Sequence, residues 1–70
     1  MNKDTALYIK EQSLKAVLEL STALVEIHDK IPAEDYEIVK RGIGLTIGRI
    51  QVEILDFVYH RYPDLDDLKD

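Results

Sequence analysis

The helix boundaries follow from one segment near the middle of the 70-residue chain, Lys30-Ile31-Pro32-Ala33-Glu34-Asp35. Pro32 disfavours helical geometry at the residue before it and suits the first turn of a following helix. The acidic residues after it lie where the positive end of a helix dipole favours negative charge. We therefore predict that helix one ends near residue 30, that a turn occupies about 30–32, and that helix two begins near 33.

Both segments that flank this turn carry apolar residues at three- and four-residue steps, which is the period of an α-helix. Helix one is predicted over about 4–30, with a cap at Asn2, Asp4 or Thr5. Its apolar stripe consists of Ala6, Ile9, Ser13, Ala16, Val17, Leu20, Leu24 and Ile27. Helix two is predicted over about 33–62, with a stripe of Tyr36, Val39, Ile43, Thr46, Ile47, Ile50, Ile54 and Phe57.

The two stripes match in an antiparallel hairpin, because each residue of one pairs with a residue of the other when their numbers add to 63. A connection this short makes the helices antiparallel neighbours. The stretch 42–48 contains all three glycines, which are poor helix formers, so a break or a short strand is the alternative there. The stripe keeps its phase across the glycines, and we therefore predict one continuous helix. The expected fold class is all-α.

A second apolar stripe on each helix has no partner in such a hairpin. A helix that is apolar on two faces is buried on two faces. We therefore expect the hairpin to complete its core as a dimer, resembling a four-helix bundle, or as a higher oligomer. The predicted interface comprises Leu7, Leu14, Leu18 and Val25 of helix one with Ile38, Leu45, Gly48, Val52, Leu55, Tyr59 and Tyr62 of helix two. Gly44 and Gly48, four apart, are predicted to permit close helix packing.

Candidate chemistry is sparse. The sequence has no Cys, which excludes disulfides and thiolate metal sites, and its two histidines, His28 and His60, fall at opposite ends of the hairpin. Arg49, Glu53, Asp56 and His60 share one side of a regular helix, as a carboxylate–histidine site would require, but ion pairing on a solvated face is the simpler interpretation. The glycine spacing lacks the preceding strand of a dinucleotide site. We predict no metal, no cofactor and no catalytic residue.

The open end of the hairpin collects aromatic residues and an acidic tail. Tyr8, Phe57, Tyr59 and Tyr62 are predicted to form an aromatic plug, with a recognition surface as the alternative. The tail, 63–70, is expected to be solvated, unless Leu65 and Leu68 form a turn that docks on an apolar groove.

Charge and composition exclude some classes of function for this chain. A net charge of −5 argues against binding nucleic acid or an anionic membrane through clustered cations. No signal peptide opens the sequence, so a cytoplasmic protein is expected. The function that fits is a non-catalytic interaction protein (a regulator, inhibitor or adaptor) that binds itself and another protein. The alternatives are an RNA-binding helical-hairpin dimer and, less favoured, an enzyme.

Overall fold

The chain is all-helical, as the sequence predicts. The computed structural model describes residues 1–67, which contain helices and no strand. Helix α1 spans Lys3–Ile27, α2 spans Ala33–Ile50 and α3 spans Asp56–Arg61. A π-helical turn at Gln51–Leu55 joins α2 to α3, and a 3-10 turn follows at Pro63–Leu65. The molecule measures 45 × 23 × 16 Å, and α1 lies alongside α2, the π-turn and α3.

Both predicted helix starts have a local cause. Asn2 caps α1, because its side-chain oxygen accepts a hydrogen bond of 2.8 Å from the backbone N–H of Thr5. Pro32 precedes α2, and its carbonyl accepts the N–H of Tyr36 at 3.0 Å. The predicted end of helix one near residue 30 is three residues late. After Ile27 the chain tightens into a turn closed by a bond of 2.9 Å from the Lys30 N–H to the Ile27 carbonyl.

The α2 helix runs without a break through Gly42, Gly44 and Gly48, which confirms the predicted continuity. The close packing predicted at Gly44 and Gly48 does not occur inside the chain. A Cβ placed at either glycine would meet no atom within 4 Å. Close packing at these positions is therefore still a prediction, and it applies only to contact with another chain.

The π-turn overturns the predicted phase of the second half of helix two. Its hydrogen bond runs from the Asp56 N–H to the Gln51 carbonyl, five residues back, so the turn holds one residue more than an α-helix would. Every later side chain is therefore rotated by about 100° relative to a regular helix. Leu55 and Val58 occupy the positions predicted for Ile54 and Phe57, which are exposed instead.

This rotation corrects three residues that the sequence assigns to an oligomer interface. Leu55 is 3% exposed and is buried within the single chain. Tyr59 and Tyr62 are half-buried and pack against a core cluster formed by Ala6, Val58 and Leu65. The prediction that Leu55, Tyr59 and Tyr62 lie on an uncovered face is therefore wrong.

Membrane insertion has no candidate segment in the part of the chain that the structure describes. None of the helices within residues 1–67 combines the length and the apolar character needed to cross a bilayer.

Candidate interaction surface

Seven of the apolar residues predicted for the interface are exposed on the single chain, and they form two faces. The first, here called the α1 face, consists of Leu7, Leu14, Leu18 and Val25. The second, here called the α2 face, consists of Ile38, Leu45 and Val52, which are 71%, 64% and 61% exposed. Since all seven were predicted to lack cover within a hairpin, the structure confirms their exposure. It does not test what covers them.

The two faces have different positions relative to the intrachain packing. At 100° per residue, the α2 face points almost directly away from α1, because Leu45 lies about 160° from the side that carries Ile43 and Ile47. The α1 face lies nearer to the intrachain contact, about 120° from the side that carries Ser13 and Leu20. A second chain could therefore cover the α2 face without disturbing the contacts between α1 and α2.

Charges around the α2 face are uneven. Between Ile38 and Val52 the sequence contains Lys40, Arg41 and Arg49 and no acidic residue, although the whole chain carries a net charge of −5. Within residues 1–67, no ion pair joins Arg41 or Arg49 to an acid. The centre of α2 thus carries an apolar stripe with cations and no acids beside it.

The start of the acidic tail folds back over the open end of the hairpin, with Leu65 buried and Pro63 and Asp64 exposed. Leu65 enters the core beside Ala6 and Val58, and Tyr62 donates a hydrogen bond from its hydroxyl to the Met1 carbonyl. Lys3 forms an ion pair with Asp64, and this contact lowers the pKa of the Asp64 carboxyl. The docked-turn alternative is therefore correct for Leu65, whereas Leu68 lies outside the described residues.

The buried Lys10 side chain holds this turn against α1 through two hydrogen bonds. Its side chain is 7% exposed, and its ammonium donates to the Leu65 carbonyl at 2.5 Å and to the Asp67 carboxylate at 2.7 Å. The Tyr59 ring lies 5.9 Å from the same nitrogen, within cation–π range. The hydrogen bond to Asp67 raises the pKa of the Lys10 ammonium above its usual 10.5, against the opposing effect of burial. The buried charge is therefore paired and hydrogen-bonded, as burial of a charge requires.

We expect Lys10→Met to destabilise the fold by about 1–3 kcal/mol, because it leaves the Leu65 carbonyl without its donor. Urea unfolding followed by circular dichroism measures the change. Lys15→Met is the matched control, because Lys15 is exposed and its ion pair with Glu19, at 4.0 Å, contributes at most about 1 kcal/mol. Equal destabilisation by the two variants would contradict the structural role of Lys10.

The pH dependence of this contribution has a definite sign. Because the folded pKa of Lys10 lies above the unfolded value, the bond stabilises the fold fully below about pH 10.5. The contribution is lost as the pH rises through the folded pKa. Lys10→Met should abolish that part of the alkaline loss of stability.

The predicted polar cluster on helix two is divided by the π-turn. The expected ion pairs Arg49–Glu53 and Asp56–His60 are not among the contacts of residues 1–67. Asp56 instead accepts a hydrogen bond of 2.8 Å from Gln51, five residues earlier, which is the π spacing. In the described part of the chain, no group of three or more His, Cys, Asp or Glu residues could hold a metal ion.

The predicted aromatic plug is correct for two of its four residues. Tyr59 and Tyr62 close the open end against the core, whereas Tyr8 and Phe57 are exposed. The Phe57 ring lies 5.0 Å from the Arg61 guanidinium, on the outside of α3. At the other end, His28 packs edge-on against Tyr36 with ring centroids 5.0 Å apart, and its ring contacts Asp29 at 3.0 Å.

Comparisons of this chain with protein-family models, with curated proteins and with solved structures gave no match.

Proposed function

We propose that the chain is a non-catalytic helical interaction protein that acts through protein–protein contacts, the first of them with a second copy of itself. A regulator, an inhibitor or an adaptor would work in this way. The single observation that carries the proposal is the exposure of large apolar side chains on both helices, most clearly at Ile38, Leu45 and Val52. Contiguous apolar faces on soluble proteins mark interaction sites, whereas single exposed apolar residues do not.

The spacing of the exposed residues favours another helix as the partner. Ile38, Leu45 and Val52 are each seven residues apart, and the same step separates Leu7 from Leu14 and Leu18 from Val25. This spacing is typical of helices that pack along another helix. Self-association is the simplest solution, since closed twofold dimers are the commonest oligomers.

One feature favours the RNA-binding alternative: α2 carries Lys40, Arg41 and Arg49, and within residues 1–67 no ion pair joins them to an acid. Phosphate binding rests on several clustered cations, and each one adds to the salt dependence. The net charge of −5 opposes it. We therefore rank protein contact first, and strong, salt-sensitive retention on RNA by the native chain would reverse that ranking.

Val52→Glu tests the proposal. Val52 is exposed in the single chain, so the variant monomer has no reason to unfold, but an interface would have to bury the new carboxylate at a cost of several kcal/mol. We expect the variant to remain monomeric at concentrations where the native chain associates, as measured by light scattering after gel filtration. Gln12→Glu is the control, because it adds the same charge at an exposed position outside both faces.

Unchanged association in Val52→Glu would remove the α2 face from the proposed interface. Loss of helicity in Val52→Glu, with Gln12→Glu still folded, would show that the helices require the contact to remain formed.

A further inference from the structure

The turn at residues 64–67 occupies a seat at the open end of the hairpin, here called the tail seat. Its floor is apolar, because Ala6 and Val58 are fully buried. Its wall carries the Lys10 ammonium, on a side chain that is only 7% exposed. The Leu65 side chain packs on the floor. An apolar floor with one buried cation selects an occupant that has both an apolar side chain and an anionic group.

The polar contacts of the docked turn define this occupant more closely. Lys10 donates to the Leu65 carbonyl at 2.5 Å and to the Asp67 carboxylate at 2.7 Å. At the rim of the tail seat, Lys3 forms an ion pair with Asp64. The pattern that fits is therefore a leucine with one carboxylate directly before it and another two residues after it.

The buried lysine points to selectivity rather than to stability. A buried ion pair can often be replaced by apolar side chains of similar volume without loss of stability. Lys10 instead makes the tail seat unfavourable whenever no anion is present, because an unpaired charge then faces apolar surroundings. An RNA phosphate would meet this cation but would leave the apolar floor uncovered. The tail seat thus fits a protein segment better than a nucleic acid.

The docked turn is held by few interactions. Leu65 is buried, whereas Pro63 is exposed and the side chains of Asp64 and Asp67 are 60% and 80% exposed. Ion pairs with exposed carboxylates contribute little. The burial of one leucine and the two bonds of Lys10 must therefore offset the conformational entropy lost by the whole turn. This small margin corresponds to a released state in about 1–10% of chains.

We propose that the tail seat is a further binding site, for an acidic, leucine-bearing segment of a partner protein, and that the chain's own turn is its autoinhibitory occupant. The inference rests on the proposed function, that of an interaction protein, and adds a site separate from the α1 and α2 faces. A partner binds only those chains whose turn is released, so its apparent affinity is lowered by the released fraction.

Asp67→Lys tests the inference on the full chain. The new cation would lie beside Lys10 and repel it, so the turn leaves the tail seat. The probe is a peptide with the sequence of residues 62–67, acetylated and amidated at its ends, and binding is followed by NMR titration. We expect it to bind Asp67→Lys about 10–100-fold more tightly than the native chain, since nearly every chain is then released.

Glu37→Lys is the matched control, because it makes the same charge change at an exposed position near the other end of the hairpin. Its affinity for the peptide should equal that of the native chain. Asp67→Asn removes the ion pair without reversing the charge, and it should give a smaller gain than Asp67→Lys. Adding Lys10→Met to Asp67→Lys should weaken binding by about tenfold or more, as should serine in place of the peptide's leucine.

Absence of peptide binding to both Asp67→Lys and Asp67→Asn would overturn the inference, as would binding that Lys10→Met leaves unchanged. Equal affinities of the native chain and Asp67→Lys would show that the turn does not inhibit. Displacement of the peptide by an equal concentration of the native chain would assign the tail seat to a second copy's turn, and not to a partner protein. None of these failures affects the proposed function, because Val52→Glu tests that function at the α2 face.

Discussion

Val58→Asp should unfold the chain. Val58 is 0% exposed and packs against Ala6 and Leu65, so its replacement buries a carboxylate in an apolar cluster. Unpaired buried charge is among the few changes that cost about 4 kcal/mol or more. Small domains have about 0.05–0.15 kcal/mol of stability per residue, so this cost is comparable with the total. Loss of helical circular dichroism at 25 °C, or a collapse of the urea midpoint, would show it.

Phe57→Asp is the matched control, and it tests the π-turn as well. Phe57 is 47% exposed, and its main contact is the Arg61 guanidinium, which can pair with an aspartate instead. We expect a loss of about 1 kcal/mol or less. A regular helix through residues 51–55 would give the reverse order, with Phe57→Asp unfolding the chain and Val58→Asp tolerated. That reverse order would contradict the structure.

Deletion of single residues in helix two should have opposite effects on the two sides of Gln51. Removing Glu53 converts the five-residue π-turn into an ordinary α-turn, and Leu55 and Val58 still face α1. We expect the free energy of unfolding to change by less than about 1 kcal/mol. Unfolding in urea, with the native chain as reference, measures it.

Removing Thr46 is the comparison, since Thr46 is equally exposed but lies in a regular α-helix. The deletion rotates the following residues by about 100°. Even if the π-turn relaxed to absorb the change, Gly48 and Gln51 would replace Ile47 and Ile50 at the α1 contact. We expect a loss of about 2–4 kcal/mol, below that of two fully buried isoleucines because both are half-buried. Equal losses from the two deletions would contradict the phase shift.

The first half of the hairpin could be predicted from the sequence because the local signals agree. Pro32 and the acids after it fix the start of α2, and the stripe from Ala6 to Ile27 leaves one choice of buried side. The same regularity identified the exposed residues of both faces, including Leu18 and Leu45. Each of these predictions depends only on helical period and on turn chemistry, which a single sequence displays directly.

The phase after Gln51 could not be predicted, because adjacent apolar residues make it ambiguous. Ile54 and Leu55 are both large and aliphatic, and Phe57 and Val58 are both apolar, so either pair could face α1. The choice comes from tertiary packing. Val58 fills the space between Ala6 and Leu65, and Leu65 belongs to a tail that a helical period does not describe. Nothing within Gln51–Leu55 marks a π-turn.

The docking of the tail on α1 could have been predicted from the sequence. Lys3 and Lys10 are seven residues apart on α1, and Asp64 and Asp67 are three apart on either side of Leu65. The two bases lie on one face of α1 and could pair with the two acids, which would place Leu65 against the helix. These residues can pair only if the two ends of the chain lie close together, and the predicted hairpin brings the ends together.

We propose that a second copy of the chain covers the exposed α2 face, at Ile38, Leu45 and Val52. Sedimentation equilibrium of the unaltered chain over a range of micromolar concentrations tests this claim. We predict a weight-average mass that rises with concentration from 8.1 kDa toward twice that value. A mass that stays at the monomer value throughout the range would contradict the claim.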